Sequence, residues 1–126
     1  MLKTPSYVIV GSGVAGAIAA ETLRKEGFNG DVHLIGCETD LPYDRPSLSK
    51  EFLRGEKTEK DLFIKTPEFY DQQQILLHLG QKAKYLDLNK SIIDFGNGDA
   101  IRYDKLLLTT GSKVRKLDIP GNNLAG

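Results

Sequence analysis

YVIVGSGVAG, residues 7–16, is the stretch on which the fold turns. Its first four residues are a β-branched, apolar run that stops at glycine, the pattern of a strand buried on both faces. From Val14 to Lys25 the period becomes helical: Ala15, Ile18, Ala19 and Leu23 share one face, while Glu21, Arg24 and Lys25 point elsewhere. Gly27 stands where that helix ends. After the turn FNGD, the run VHLI at 32–35 makes a second strand. Strand, helix and strand within about thirty residues form one βαβ unit, with parallel strands and a right-handed crossover.

Within this unit Gly11-Ser12-Gly13-Val14-Ala15-Gly16 spells G-x-G-x-x-G. The motif alone is weak; here it follows a strand directly and opens a helix, which is the context that gives it meaning. Gly11 allows the tight turn, Gly13 lets a pyrophosphate approach the main chain, and Gly16 lets the helix pack close to the strand. The helix start offers unpaired N–H groups and the positive end of its dipole to phosphates. An acidic residue at the end of the second strand would accept hydrogen bonds from ribose hydroxyls. Glu38 lies twenty-two residues after Gly16, near the usual spacing of roughly 20; Asp40 is the neighbouring alternative. A carboxylate there disfavours the 2′-phosphate of NADP and fits NAD or FAD. The turn therefore announces a dinucleotide without choosing between those two.

The rest of the composition narrows the class. A chain of 126 residues is the size of one domain, and 40% hydrophobic with 27% charged residues is an ordinary globular balance. Seventeen basic residues balance seventeen acidic ones, so no net field gathers nucleic acid or an anionic membrane. No apolar stretch approaches the roughly 20 residues of a membrane span. The opening MLKTPSY lacks the apolar core of a signal peptide, so a cytoplasmic protein is expected. The single cysteine, Cys37, cannot form an internal disulfide and reads as a small packing residue. No metal site is expected, and His33 and His78, forty-five positions apart, read as structural histidines.

Past the second strand, Pro46 suits a first helical position, with Ser47 or Ser49 as a cap and Leu48, Phe52 and Leu53 as a short apolar face. The alternating charges of residues 54–61 read as a solvated loop or frayed helix end. A further short helix is expected near Pro67. Residues 75–79, 83–88, 91–95 and 100–108 are strand-like and separated by turn residues, which predicts an antiparallel meander. The last of these runs into KLLLTTG, expected to return to the parallel sheet. The fold class expected is α/β, a Rossmann-like FAD-binding parallel sheet with an antiparallel β-meander insertion. Its parts are a βαβ unit at 6–36, a flavin-side loop and helix at 37–61, a helix and meander at 67–104, a return strand at 105–112 and a connector at 113–126.

Two later segments carry a resemblance that separates FAD from NAD. LPYDRPSLSK at 41–50 resembles a signature of the FAD-dependent ferredoxin reductases, with Ser47 where proline or alanine is usual. LLLTTGS at 106–112 resembles the same family's hydrophobic strand followed by Ala-Thr-Gly, with Thr109 in place of the alanine. The match continues through Arg115 and Ile119-Pro120-Gly121. On these residues the chain is identified as a member of that family, a putidaredoxin- and rhodocoxin-reductase-like group within the pyridine nucleotide-disulfide oxidoreductases. The stretch PYDRPSLSKEF contains no cysteine, so the redox disulfide of other branches is absent.

The resemblance implies that Arg45 lies along the FAD pyrophosphate, where a guanidinium neutralises phosphate bidentately. It implies that Lys50 sits beside the flavin N5 edge and raises the potential, the one candidate catalytic residue. It further implies cofactor contacts for Ser12, Val14, Ala15, Thr110 and Gly111, for the backbone around Ala83 near the adenine, and for Arg115. The family's reductases take a hydride from NAD(P)H and pass electrons to a ferredoxin-like or Rieske-type acceptor. They run to roughly three times this length, so the chain is expected to be an N-terminal piece of a discontinuous FAD domain. The NAD(P)H domain and the returning Gly-Asp segment are then expected to lie in the missing C-terminal remainder, and the piece alone is expected to be inactive. Alternatives are a nucleotide-binding module without redox chemistry, or the FAD domain of a nitrite reductase, an oxidase or an apoptosis-inducing-factor-like protein.

Overall fold

The structure, a computed structural model, describes residues 3–124; residues 125–126, the end of the expected connector 113–126, lie outside them, as do residues 1–2. Strand β1 (Ser6–Val10) leads through the glycine turn into helix α1 (Val14–Lys25), and β2 (Asp31–Ile35) follows. Two 3-10 turns, Pro46–Ser49 and Glu59–Leu62, precede helix α2 (Pro67–Gln72) and strand β3 (Ile75–His78). Strands β4 (Tyr85–Asp87), β5 (Ile92–Asp94) and β6 (Ala100–Arg102) come next, and β7 (Lys105–Leu108) is last.

The four-stranded sheet runs β3-β2-β1-β7, and its pairs β1–β2, β1–β7 and β2–β3 are all parallel. Alternate residues of β1 feed two separate cores. Ile9 points to the helical side, where it meets Ala20, Val32, Leu34, Tyr70 and Ile75. Val8 points to the opposite side, packing with Ile35, Ile93, Phe95 and Tyr103 from the meander region. A strand with both faces covered needs apolar residues at consecutive positions, which is why YVIV does not alternate.

Arg24 locks the far end of α1: its guanidinium donates to the carbonyls of Gln73, Phe28, Gly30 and Gln74 at 2.7–2.8 Å. Glu21 departs from expectation. It is 8% exposed, and its Oε1 lies 2.9 Å from both Lys25 Nζ and Lys65 Nζ. Burying this side of α1 is tolerable because two cations meet the carboxylate. Burial pushes the Tyr70 hydroxyl up to about 12, and no partner meets that hydroxyl.

The expected run of four antiparallel segments needs correction. Residues 75–79 do not join the meander; β3 lies parallel to β2, with Val32 opposite Ile75 and Ile35 opposite His78. The antiparallel sheet is β4-β5-β6 alone. The strand-like run at 100–108 forms two strands, β6 and β7. Asp104 breaks it: its main-chain N donates to Ser6 O at 2.7 Å, and its carboxylate takes the Ser6 N–H at 2.7 Å. That exchange steers the chain from the meander to the outer side of β1. No helix among the described residues is long and apolar enough to cross a membrane.

Candidate functional site

The segments that carry the sequence motifs meet at the carboxyl ends of the parallel strands. The turn after β1 and the loop after β7 flank the place where the strand order reverses, since β2 lies on one side of β1 and β7 on the other. Ligands of open α/β sheets sit in that crevice. Here it is a cleft of about 520 Å³. Gly11, Ser12 and Gly13 form one wall, and Thr109, Thr110, Gly111 and Ser112 the other. Cys37, Glu38 and Arg45 close one end. A slightly larger hollow of about 570 Å³ lies between α1 and the β1–β7 surface, lined by Ile18, Leu23 and Leu107 among others. Its walls are mostly aliphatic, without the converging polar groups that orient a nucleotide.

Gly11 and Gly16 of the turn have distinct steric reasons. Gly11 adopts φ 117°, and a Cβ there would lie 2.1 Å from Thr109 O. A Cβ on Gly16 would lie 1.9 Å from Gly11 O and 3.1 Å from Leu34 Cδ1, so this position sets the closeness of helix and strand. Gly13 is different. Its φ of −78° suits any residue, and a Cβ there would meet nothing within 4 Å. Neither backbone strain nor internal packing asks for glycine at 13, and the space in front of it is open. Gly13 is also the N-cap of α1, with no side chain capping the helix and no acidic residue in its first turn. The helix therefore presents its first N–H groups and positive end to the cleft. These features fit the diphosphate of a dinucleotide.

Opposite the turn, Glu38 is held by two donors. Tyr43 Oη donates to Glu38 Oε2 at 2.6 Å, and Arg45 Nη2 donates to Oε1. The guanidinium also lies over the Tyr43 ring, 5.1 Å from its centroid. The Tyr43 hydroxyl and then Arg45 hold the Glu38 carboxyl below the usual range, and the same contacts raise Tyr43 and Arg45. At neutral pH Glu38 is thus an anionic acceptor and Tyr43 a neutral donor. The loop bearing Glu38 is tied to the end of β3: Gly80 N donates to Glu38 O at 2.7 Å and Gln81 N to Gly36 O at 2.9 Å.

Not all expected site residues gather here. Gly11, Ser12, Gly13, Glu38, Arg45, Thr110 and Gly111 line the cleft. Val14 is 59% exposed on the first turn of α1, Ala15 lines the aliphatic hollow on the helical side, and Gly16 is buried. Ala83 lines a small neighbouring hollow of about 160 Å³ that shares Thr110. Lys50 follows the 3-10 turn, its main-chain N bonded to Ser47 O, and its side chain is outside the cleft lining. Arg115 lies in the exposed connector. Cys37, read as a packing residue, is exposed and lines the cleft, because the chain leaves the sheet at Gly36. Among the described residues no group of three or more His, Cys, Asp or Glu comes together to hold a metal.

Three contributors escaped the sequence. Gly36 is required because a Cβ there would lie 2.6 Å from Ser12 Cβ, a contact that rotating the serine cannot relieve. Thr109 Oγ1 donates to Gly11 O at 3.0 Å and fastens the β7 loop to the turn. Tyr43 orients Glu38. No spacing rule marks the first two; Tyr43 stands within the LPYDRPSLSK stretch, five residues after the carboxylate.

The profile of the family described as pyridine nucleotide-disulphide oxidoreductase matches residues 5–126. The chain is 43% identical to the 3-phenylpropionate/cinnamic acid dioxygenase ferredoxin–NAD(+) reductase component of Photorhabdus laumondii, over 98% of this chain and 32% of that protein. It is 39% identical to rhodocoxin reductase of Rhodococcus erythropolis, over 96% and 28% respectively. Among solved structures it is similar to a crystal structure of the covalent putidaredoxin reductase–putidaredoxin complex, with TM-score 0.89 and 34% identity over 95% of this chain and 29% of the other. The chain thus spans less than a third of the length of these relatives.

Proposed function

The chain belongs to the pyridine nucleotide-disulphide oxidoreductase family, and we propose that it forms the FAD-binding part of an NAD(P)H-dependent reductase serving a ferredoxin-like or Rieske-type acceptor. The observation that carries the cofactor is the open space in front of Gly13, where nothing in the protein requires glycine. The acceptor class rests on the relatives: one is named as a ferredoxin–NAD(+) reductase component, and another is crystallised with putidaredoxin. A cytoplasmic location accords with such a partnership.

In this reading the N–H groups opening α1 and the main chain of Gly11–Gly13 receive the diphosphate. Glu38 accepts the adenosine ribose hydroxyls, and the Arg45 guanidinium neutralises phosphate charge. Thr110 and Gly111 bound the cleft opposite the turn, Ala83 borders the adenine side, and Arg115 approaches from the connector. Lys50, outside the cleft lining, would supply positive charge toward the flavin ring. Bound FAD supplies the conversion of a two-electron hydride donor to single-electron transfer; the protein binds, orients and tunes it. The 1–126 chain is then the first segment of a discontinuous FAD domain.

Anaerobic mixing of the full-length gene product with NADH or NADPH tests the reading. The expected result is bleaching of flavin absorbance, followed by its return when an oxidised [2Fe–2S] ferredoxin is added. A flavoprotein that neither reduced nicotinamide bleaches would contradict it.

A further inference from the structure

We propose that Tyr43 is the positioning residue of the sugar subsite, fixing one oxygen of Glu38 so that the other is left to exchange Arg45 for the adenosine diol. The inference rests on the FAD reading above and adds to it a residue and an exchange that the dinucleotide motif does not contain.

The two oxygens of Glu38 are not equivalent. Oε2 is taken by Tyr43 Oη at 2.6 Å, from a side chain anchored by its own loop: Tyr43 bridges to Phe63, Pro42 O accepts Ile64 N–H at 2.9 Å and Leu62 O accepts Asp44 N–H at 2.8 Å. That partner is built into the backbone of the loop. Oε1 is taken by Arg45 Nη2, from a side chain that is 61% exposed and has no other hydrogen bond among the described contacts. An exposed ion pair of this kind is worth little and is readily exchanged.

Arg45 also bears on the available room. Where Ser12 and Gly13 face Glu38, Asp40, Tyr43 and Arg45, only about 10 Å³ is open, room for about one water and not for a sugar. The adjoining diphosphate cleft is about 520 Å³, and Arg45 borders both spaces. A ribose hydroxyl seated on Oε1 competes there with the guanidinium for the same oxygen. The displaced cation lies beside the cleft where phosphate charge arrives. One movement then opens the sugar subsite and neutralises the diphosphate, while the Tyr43 bond keeps the carboxylate aimed. Tyr43 also helps keep Glu38 ionised, since its hydroxyl is the leading contact that depresses the carboxyl.

The test uses flavin-stripped full-length protein and two probes read by flavin fluorescence: FAD and its 2′,3′-dideoxyadenosine analogue. Flavin emission keeps any nicotinamide site out of the signal. The wild type is expected to bind FAD more tightly than the analogue, and Tyr43→Phe to lose about fivefold in FAD affinity, the scale of one hydrogen bond, with the analogue unaffected. Loss on both probes alike would mean a general structural role and overturn the inference. So would a variant that retains the full diol advantage. A wild type that binds both probes equally would instead remove Glu38 as the sugar acceptor, and a wild type that binds neither would remove the FAD reading. As a second measurement on the wild type alone, the diol advantage is expected to persist from pH 7 down to pH 4. An acid loss centred near the ordinary glutamate value of about 4.3 or above would show an unassisted carboxylate and count against Tyr43.

Discussion

The glycine turn after β1 and the loop after β2 supply two halves of one cleft by different physical means. In the turn, recognition resides in the main chain. Gly11 and Gly16 are fixed by close contacts with Thr109 O, Gly11 O and Leu34, and the open face of Gly13 and the uncapped start of α1 have no internal partner to satisfy them. In the loop, recognition resides in side chains, and these satisfy one another: Glu38 is bonded to Tyr43 and Arg45. The main-chain half is therefore preformed, because helix geometry cannot turn its N–H groups inward. The side-chain half closes on itself and has to exchange partners when a ligand arrives.

Substitutions separate the halves. The largest effect belongs to Gly16→Val. Its Cβ would fall 1.9 Å from the Gly11 carbonyl oxygen, so α1 must leave the sheet, and destabilisation of ~3 kcal/mol or more is expected. A urea midpoint equal to that of the wild type would break the claim that this half is set by packing. Arg45→Gln should behave in the opposite manner. Its side chain is 61% exposed, so stability should stay within ~0.5 kcal/mol. FAD affinity should fall about 10- to 100-fold, the scale of a charged hydrogen bond. Loss of stability in place of affinity would place Arg45 in the scaffold.

The smallest effect sharpens the boundary between the two. His33 Nδ1 and His78 Nε2 are 2.9 Å apart on β2 and β3, just before the Glu38 loop. Burial lowers both, and for His33 the facing His78 lowers it further while Asp31 opposes. A depressed histidine contributes stability above its unfolded value of about 6.5, and that contribution is lost as pH falls through the lower folded value. The urea midpoint should therefore drop modestly between pH 7.5 and pH 5, and less in His78→Leu. Equal slopes would show that the pair is not coupled to folding.

The first half was nearly all legible in sequence. α1 runs from Val14 to Lys25 as its apolar period requires, and the roles of Gly11 and Gly16 follow from motif and context. Of the second half, the sequence named Glu38 by spacing and Arg45 through the resemblance, but not the bonds that tie Tyr43 and Arg45 to Glu38. Those bonds depend on loop closure by Asp44 and Ile64 backbone bonds to residues about twenty positions away, which no local pattern encodes. Strand β3 failed for a related reason. Its sequence ILLH suits either neighbour, and the short link to β4 imitates a hairpin; pairing with β2 is decided by Val32 and Leu34 across the sheet. Cys37 was misjudged because two residues, Gly36 and Cys37, lie beyond the last paired position, Ile35.

One titration addresses the cofactor site most directly: FAD added to flavin-stripped full-length protein, wild type against Gly13→Val, with the urea midpoint measured on both. Valine at 13 fills only open space at an ordinary φ. The account predicts tight, visible flavin binding in the wild type, its loss in the variant, and unfolding free energies that agree within ~1 kcal/mol, the scale of an unfavourable N-cap residue. A variant that binds FAD as well as the wild type would contradict it.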